Sequence, residues 1–187
     1  MSARPRSAVV PPEPGDHVCV FYQGPTERAR LMSAYLDDGL RAGDACLCVA
    51  GTAEGADVLS ALTTADSAED AGGARHQHLP ADAIAPGAVL GQVATWSRTT
   101  LEREDRTPAR VVTDMSWVVP PTSRPSVDHL ARYETGVAAW ATTYPQSFVC
   151  MYDLDRFAGV VYAVIKAHTR VWMGGMMLEN PYSQGGR

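Results

Sequence analysis

The chain has 187 residues, a formal net charge of −5, 45% hydrophobic residues and 20% charged residues. That length fits one ordinary domain with a sizeable core and leaves little room for a second. The acidic balance disfavours a nucleic-acid footprint, which needs basic residues clustered on one face, and no apolar run approaches the roughly 18 to 20 residues that span a bilayer.

Residues 1–14 carry Arg4 and Arg6 and then Pro11, Pro12 and Pro14. They lack the apolar stretch of a secretory signal and are expected to form a disordered tail. A single domain is expected over residues 15–183, with 184–187 as a C-terminal tail. Cys19, Cys46, Cys48 and Cys150 all sit inside apolar runs of strand character, which argues against a disulfide framework. With no export signal, the expected location is the reducing cytoplasm.

His17 to Tyr22 is a short apolar and aromatic run with β character. Pro25 then stands where a helix begins, and Leu31, Met32, Tyr35, Leu36 and Leu40 recur at helical spacing until Gly43 stops it. Cys46 to Ala50 is a continuous apolar run, as expected of a strand covered on both faces. A weaker helix around Ala53 to Leu62 leads into a linker rich in Ala, Gly and Asp. A short edge strand is expected near His76 to Leu79, with His76 and His78 solvated.

Val89, Leu90, Val93, Trp96 and Leu101 mark a helix that ends in the charged run Glu102 to Arg106. Arg110 to Thr113 is β-branched and stops at Asp114; Pro120 to Pro125 is expected to be a loop. Val127, Leu130, Tyr133, Val137 and Trp140 make the next helix, which ends before Pro145. Phe148 to Tyr152 is a strand, Phe157 to Ile165 a helix, and Val171 to Leu178 a closing strand. Met173, Met176 and Met177 around Gly174-Gly175 suggest a soft, adaptable surface or core edge, with core filling preferred. Strands alternating with helices at these spacings predict an α/β fold with a parallel sheet.

The opening strand, loop, helix and strand match the start of a nucleotide-binding P-loop domain, but the loop lacks the phosphate-binding residues. A P-loop needs G-x-x-x-x-G-K-[ST], with backbone amides, a Lys and a hydroxyl around phosphate and magnesium. Here the loop is Phe21-Tyr22-Gln23-Gly24-Pro25-Thr26-Glu27-Arg28. It has no Lys, a Pro that removes an amide donor, and a carboxylate where phosphate charge would sit. NTPase activity is therefore not expected.

Ligands of open α/β sheets bind beyond the carboxyl ends of the strands. Those ends are Phe21 and Tyr22, Asp114 to Trp117, and Tyr152 to Asp155. Asp114 matches the strand-end Asp of a magnesium site, yet an Asp just after a strand more often caps a turn. Trp117 either walls an apolar pocket or anchors its loop.

Several landmarks share their order and spacing with one family. They are Asp16-His17-Val18-Cys19 with Phe21-Tyr22, Gly39-Leu40 with Gly43 and Cys46, and Asp114-Met115-Ser116-Trp117. Tyr133-Glu134, Cys150-Met151-Tyr152-Asp153, Phe157, His168 and Asn180-Pro181-Tyr182 complete the set. The chain from Gly15 to Tyr182 resembles the MEDS domain, the sensory module of methanogen and methylotroph regulators. The resemblance implies a RecA-like or KaiC-like α/β fold, a three-layer sandwich with a mainly parallel central sheet and a degenerate P-loop. It also implies ligand sensing, with small hydrocarbon derivatives as the proposed signals. Thr169 stands where the family pattern has Pro, and Ala163 and Lys166 lie in a region where an acidic residue is usual.

Residues two apart on a strand share a face, so His17 and Cys19 point the same way. In a RecA-like order, the strand with Cys150 and Tyr152 lies beside them, so that Cys19, Cys150 and Tyr152 line one wall with His17 at its end. His beside thiols admits zinc, heme, redox sensing or a polarised ligand, whereas buried Cys ordinarily packs as a small hydrophobe, the reading preferred for Cys46 and Cys48. Zinc spacing such as C-x-x-C is absent, so no cofactor is expected; the alternative is heme or a metal at His17 and Cys19. Glu134 either reaches the sheet from its helix or stands as an exposed carboxylate.

The expected function is a non-catalytic sensor of a small, apolar or hydrocarbon-derived molecule. The ligand-binding candidates are His17, Cys19, Phe21, Tyr22, Asp114, Trp117, Glu134, Cys150, Tyr152 and Asp153. With no room for a fused output domain, the signal would pass to a separate protein such as a sigma-factor regulator or a histidine kinase. Neither nucleic acid nor membrane is expected as a direct partner, and a homodimer is admitted. The alternatives are a thiol/His-based heme, metal or redox sensor, a small enzyme using Cys19 and His17, or a pure docking module.

Overall fold

The computed structural model describes residues 12–55, 58, 76–80, 86–102, 108–118 and 123–183. Most of the expected N-terminal tail, the tail 184–187, most of the helix expected over Ala53 to Leu62, the linker after it and the charged run beyond Glu102 lie outside these residues.

The chain order is β1 (His17–Tyr22), α1 (Gly24–Ala42), β2 (Ala45–Ala50), β3 (His76–Pro80), α2 (Pro86–Leu101) and β4 (Ala109–Asp114). A 3-10 turn (Met115–Trp117), α3 (Arg124–Ala141), β5 (Gln146–Asp153) and α4 (Leu154–Phe157) follow. A second 3-10 turn (Ala158–Val160), α5 (Val161–Ile165), β6 (Arg170–Met173) and β7 (Met176–Glu179) close the chain. The described strands form one seven-stranded sheet in the order β3-β2-β4-β5-β1-β6-β7, parallel except for the β6–β7 pair. No described helix is long and apolar enough to cross a membrane.

β1 and β2 are buried at every residue, which is why each is an unbroken apolar run rather than an alternating one. Their two faces feed separate cores. Val18, Val20 and Tyr22 of β1 pack with Met32 and Leu36 of α1. Cys19 and Phe21 face the other way, toward Val89 and Val93 of α2 and Leu130, Tyr133 and Val137 of α3. The sheet thus forms the middle of three layers.

α1 carries Pro25 in its first turn, where the missing N–H costs nothing. It stops at Gly43, where φ is 84° and the N–H returns to the Leu40 carbonyl. Gly39 lets α1 approach the sheet closely, because a Cβ there would lie 2.6 Å from Arg110 Cδ and 2.9 Å from Cys46 Sγ.

Four expectations need correction. The closing strand over Val171 to Leu178 is a hairpin: Gly174 and Gly175, with φ of 59° and 84°, make the two-residue turn that reverses β6 into β7. Met173 and Met176, expected as core filling, are instead 36% and 62% exposed at that turn. The helix over Phe157 to Ile165 is broken into α4, a 3-10 turn and α5. It starts early because Asp153 caps it, with Oδ1 accepting from the Asp155 N–H at 3.0 Å, and the break includes Gly159. Pro125, assigned to a loop, belongs to the first turn of α3, where Ser126 Oγ accepts from the Ser123 N–H at 3.2 Å.

Candidate functional site

The parallel pairing of β1 with β5 sets Cys19 opposite Cys150 and Phe21 opposite Tyr152, all on the face covered by α3. His17, first in β1, shares that face. α3 lays Glu134 over it, and the segment between α5 and β6 brings His168 in beside His17. His17, Glu134, Cys150, Tyr152 and His168 are at most 2% exposed.

Inside this cluster, His17 Nε2 lies 3.1 Å from Glu134 Oε2, and His168 Nε2 lies 3.3 Å from the same oxygen. His17 Nε2 is also 3.4 Å from Cys150 Sγ. The Tyr152 hydroxyl donates to the other carboxylate oxygen, Glu134 Oε1. The ring nitrogens on the far sides meet backbone carbonyls: His17 Nδ1 is 3.2 Å from Ala167 O, and His168 Nδ1 is 2.8 Å from Val164 O. A carbonyl only accepts, so both Nδ1 atoms carry the proton. Each ring then turns its Nε2 edge toward Glu134. The contacts are close enough for charge pairing, but neither aligns into a hydrogen bond, and Glu134 Oε2 and His168 Nε2 remain buried without a hydrogen-bond partner.

Burial alone would raise the Glu134 carboxyl, but His168 and His17 override it and hold the group well below the usual carboxylate range. Burial lowers His17 to about 4, with His168 adding to the effect and Glu134 opposing it. Burial also pushes the Cys19 and Cys150 thiols and the Tyr152 phenol well up, and the Glu134 charge adds to that. Cys19 is therefore held as a protonated thiol, the wrong state for a nucleophile.

The remaining sequence candidates do not join the cluster. Phe21 stands against Tyr152 with ring centroids 6.2 Å apart. Tyr22 and Asp114 lie on the opposite face of the sheet, where the Tyr22 hydroxyl donates to Asp114 Oδ1 at 3.0 Å. Asp114 caps the 3-10 turn, accepting from the Ser116 N–H at 3.1 Å and the Ser116 hydroxyl at 2.9 Å, with Arg28 3.6 Å away. Its bonding is that of a turn cap, the structural alternative of the sequence reading. Trp117 packs edge-on against Tyr133 at 6.2 Å, and Asp153 caps α4. At the loop after β1, Glu27 Oε2 accepts from the Gln23 N–H at 2.9 Å, so the helix start is occupied by a carboxylate from its own chain.

The cluster also departs from the expected place. It begins at His17, at the amino end of β1, and runs beneath the middle of α3, whereas the carboxyl edge holds Tyr22, Asp114 and Arg28. His168 had no assigned role, because it precedes a strand and no local pattern links it to a helix in the middle of the chain. Glu134 is fully buried, which resolves its two alternatives.

A groove of about 620 Å³ runs over the outer side of the same layer, between α3 and α5. Val127, Ala131, Ala138 and Ala163 line it, and Tyr162 and Lys166 stand at its lip, the ammonium 4.6 Å from the ring centroid. Ala167, whose carbonyl holds His17, also lines it. The signal for the groove was present in α3 and its C-cap: Ala131, Thr135, Ala138 and Thr142 are small residues at helical spacing.

The family model of MEDS, the methanogen/methylotroph, DcmR sensory domain, matches residues 16–169. No curated protein sequence matches the chain. Among solved structures, a protein from Pyrococcus horikoshii OT3 superposes with a TM-score of 0.53 at 10% identity, over 89% of this chain and 86% of that one. The RadB recombinase superposes with a TM-score of 0.51 at 11% identity, over 86% of this chain and 74% of that one. At such identities these likenesses bear on the fold, which is RecA-like. The chain belongs to the MEDS family of sensory domains.

Proposed function

We propose that this MEDS domain is a non-catalytic signal-input module that binds a small, apolar or hydrocarbon-derived molecule in the groove between α3 and α5. The observation that carries this reading is the place of that groove between the helix that carries Glu134 and Ala167, whose carbonyl meets His17. The groove volume of about 620 Å³ lies within the range of small-molecule sites, and its lining combines alanines and a valine with two threonines, Tyr162, Asp128 and Lys166. Both walls touch the cluster: α3 carries Glu134, and Ala167 holds His17. An occupant that separated α3 from α5 would move the carboxylate relative to the two imidazoles. The signal would then pass to a separate protein, such as a sigma-factor regulator or a histidine kinase. Four free thiols support placing the domain in a reducing cytoplasm.

The groove lies outside the ten ligand-binding candidates of the sequence, which stand instead in the cluster and along the sheet. Among them, His17 and Glu134 act as the responding groups in this account rather than as groove contacts. Native mass spectrometry of the protein as isolated tests the reading. A retained small organic molecule, or a mass gain after exposure to small haloalkanes or alkanols, is expected. A bare chain that none of these compounds binds would contradict it and favour a docking module.

A further inference from the structure

The four ligand-type atoms of His17, Glu134, Cys150 and His168 all lie within 4.8 Å of one another in a fully buried setting. A zinc ion with bonds of about 2.0 to 2.3 Å to N, O and S in a tetrahedron sets its ligands roughly 3.3 to 3.8 Å apart. The separations of 3.1, 3.3 and 3.4 Å at Glu134 and Cys150 are close to those edges. We propose that His17, Glu134, Cys150 and His168 bind a divalent transition-metal cation of the zinc class.

Three further observations converge on this assignment. First, both imidazoles are held by Nδ1–H to a backbone carbonyl, the outer-shell arrangement that fixes the tautomer of a metal-bound His and turns its Nε2 inward. Second, Glu134 Oε2 and His168 Nε2 are buried polar atoms without a hydrogen-bond partner, facing each other. A proton on one ring would serve one of these contacts and leave the other nitrogen against the same oxygen; a cation serves all of them. Third, the charge balances. One carboxylate and one thiolate offset a dication, which gives a neutral set in an interior where net charge is costly.

On binding, Nε2 of each His, Glu134 Oε2 and Cys150 Sγ form bonds to the ion. The Cys150 thiol proton leaves to solvent, and no electron is transferred. Tyr152, donating to Glu134 Oε1, orients the carboxylate from the outer shell. Mixed N, O and S donors suit zinc, with cobalt as its spectroscopic substitute. The sequence alternative of a metal at His17 and Cys19 thus moves to Cys150, the thiol that contacts the imidazole. The proposal does not rest on the groove, since metal content and ligand response are separate measurements.

The test is metal analysis of the full chain produced in zinc-supplemented medium, followed by chelation and titration with Co²⁺. A single zinc per chain is expected, and cobalt should give tetrahedral visible bands with a thiolate charge-transfer band. Cys150→Ser should lose that band, while Cys19→Ser should keep it. If Cys150→Ser fails to fold, Tyr152→Phe keeps all four ligands and should weaken zinc binding by about 10- to 100-fold. A folded wild-type chain that takes up less than about a tenth of an equivalent of either ion would overturn the assignment. So would a thiolate band that survives Cys150→Ser, or zinc affinity unchanged in Tyr152→Phe.

Discussion

His17 and His168 stack with ring centroids 3.9 Å apart and planes tilted by 35°, and both direct Nε2 at one oxygen of Glu134. The pairing joins the first strand, the helix before β5 and the segment before β6 through one carboxylate. Truncating that carboxylate should therefore cost more than an ordinary helix substitution. Glu134→Ala is expected to lose about 3 to 5 kcal/mol in urea denaturation, the usual scale for breaking a buried charge pair. Glu134→Gln should lose less, because its amide can donate to one of the two Nε2 atoms. A loss below about 1 kcal/mol for Glu134→Ala would show that the cluster contributes little to stability.

The close approach of α1 to β4 predicts a second cost. In Gly39→Ala, the new Cβ would meet Arg110 Cδ and Cys46 Sγ, and Arg110 is tied to Asp44 at 2.7 Å. Overpacking of this kind costs about 1 to 3 kcal/mol. Thermal denaturation should show the loss, and the double variant Gly39→Ala/Arg110→Ala should recover part of it.

Alkaline stability follows from the thiols of β2. Burial first, and in Cys46 also Asp44, raises Cys46 and Cys48 to about 12 from an ordinary value of 9.0. Between those values the unfolded thiols ionise while the folded ones keep their protons, so the folded state binds more protons and stability falls as pH rises. The fall should begin near pH 9 and continue toward 12, and Cys46→Ala/Cys48→Ala should reduce its slope, with Cys19 and Cys150 supplying the remainder. Unchanged stability over that window in the wild type would contradict the burial assigned to β2.

The loop after β1 predicts the absence of nucleotide binding. Glu27 accepts from the Gln23 N–H where a P-loop would offer amides to phosphate, and the neighbouring Arg28 faces Asp114 and Glu54 rather than solvent. Equilibrium dialysis with ATP and magnesium should give no binding, and hydrolysis should stay at background. Measured ATP turnover would mean that the loop rearranges to free those amides.

The parallel sheet could be read from local patterns, because buried parallel strands are unbroken apolar runs and helices repeat at 3.6 residues, whereas the place of β5 beside β1 came from the family resemblance. Pairing β1 with β5 then placed His17, Cys19, Cys150 and Tyr152 on one face. Glu134 could be named but not located, since α3 offers carboxylates at exposed positions too, such as Asp128. His168 could not be linked to the others, because its position depends on how α5 packs back toward β1. The β6–β7 hairpin was missed because Gly174-Gly175 was read as a soft part of one strand rather than as a turn with positive φ at both residues. The cluster lies away from the carboxyl edge for a chemical reason. The carboxyl-edge rule locates phosphate at the loops, whereas here the polar side chains point off the face of the sheet.

Whether a small apolar molecule seats between α3 and α5 is decided by calorimetric titration of wild type and Ala138→Trp. Ala138 lines the groove, and an indole there would obstruct it. A binding haloalkane or alkanol, at about 100 times its Kd, should add roughly 2.7 kcal/mol and raise the Tm of a chain this size by about 5 to 10 °C. Ala138→Trp, folded and equally stable alone, should lose that heat of binding and that shift. Equal binding by both proteins would contradict a seat between α3 and α5.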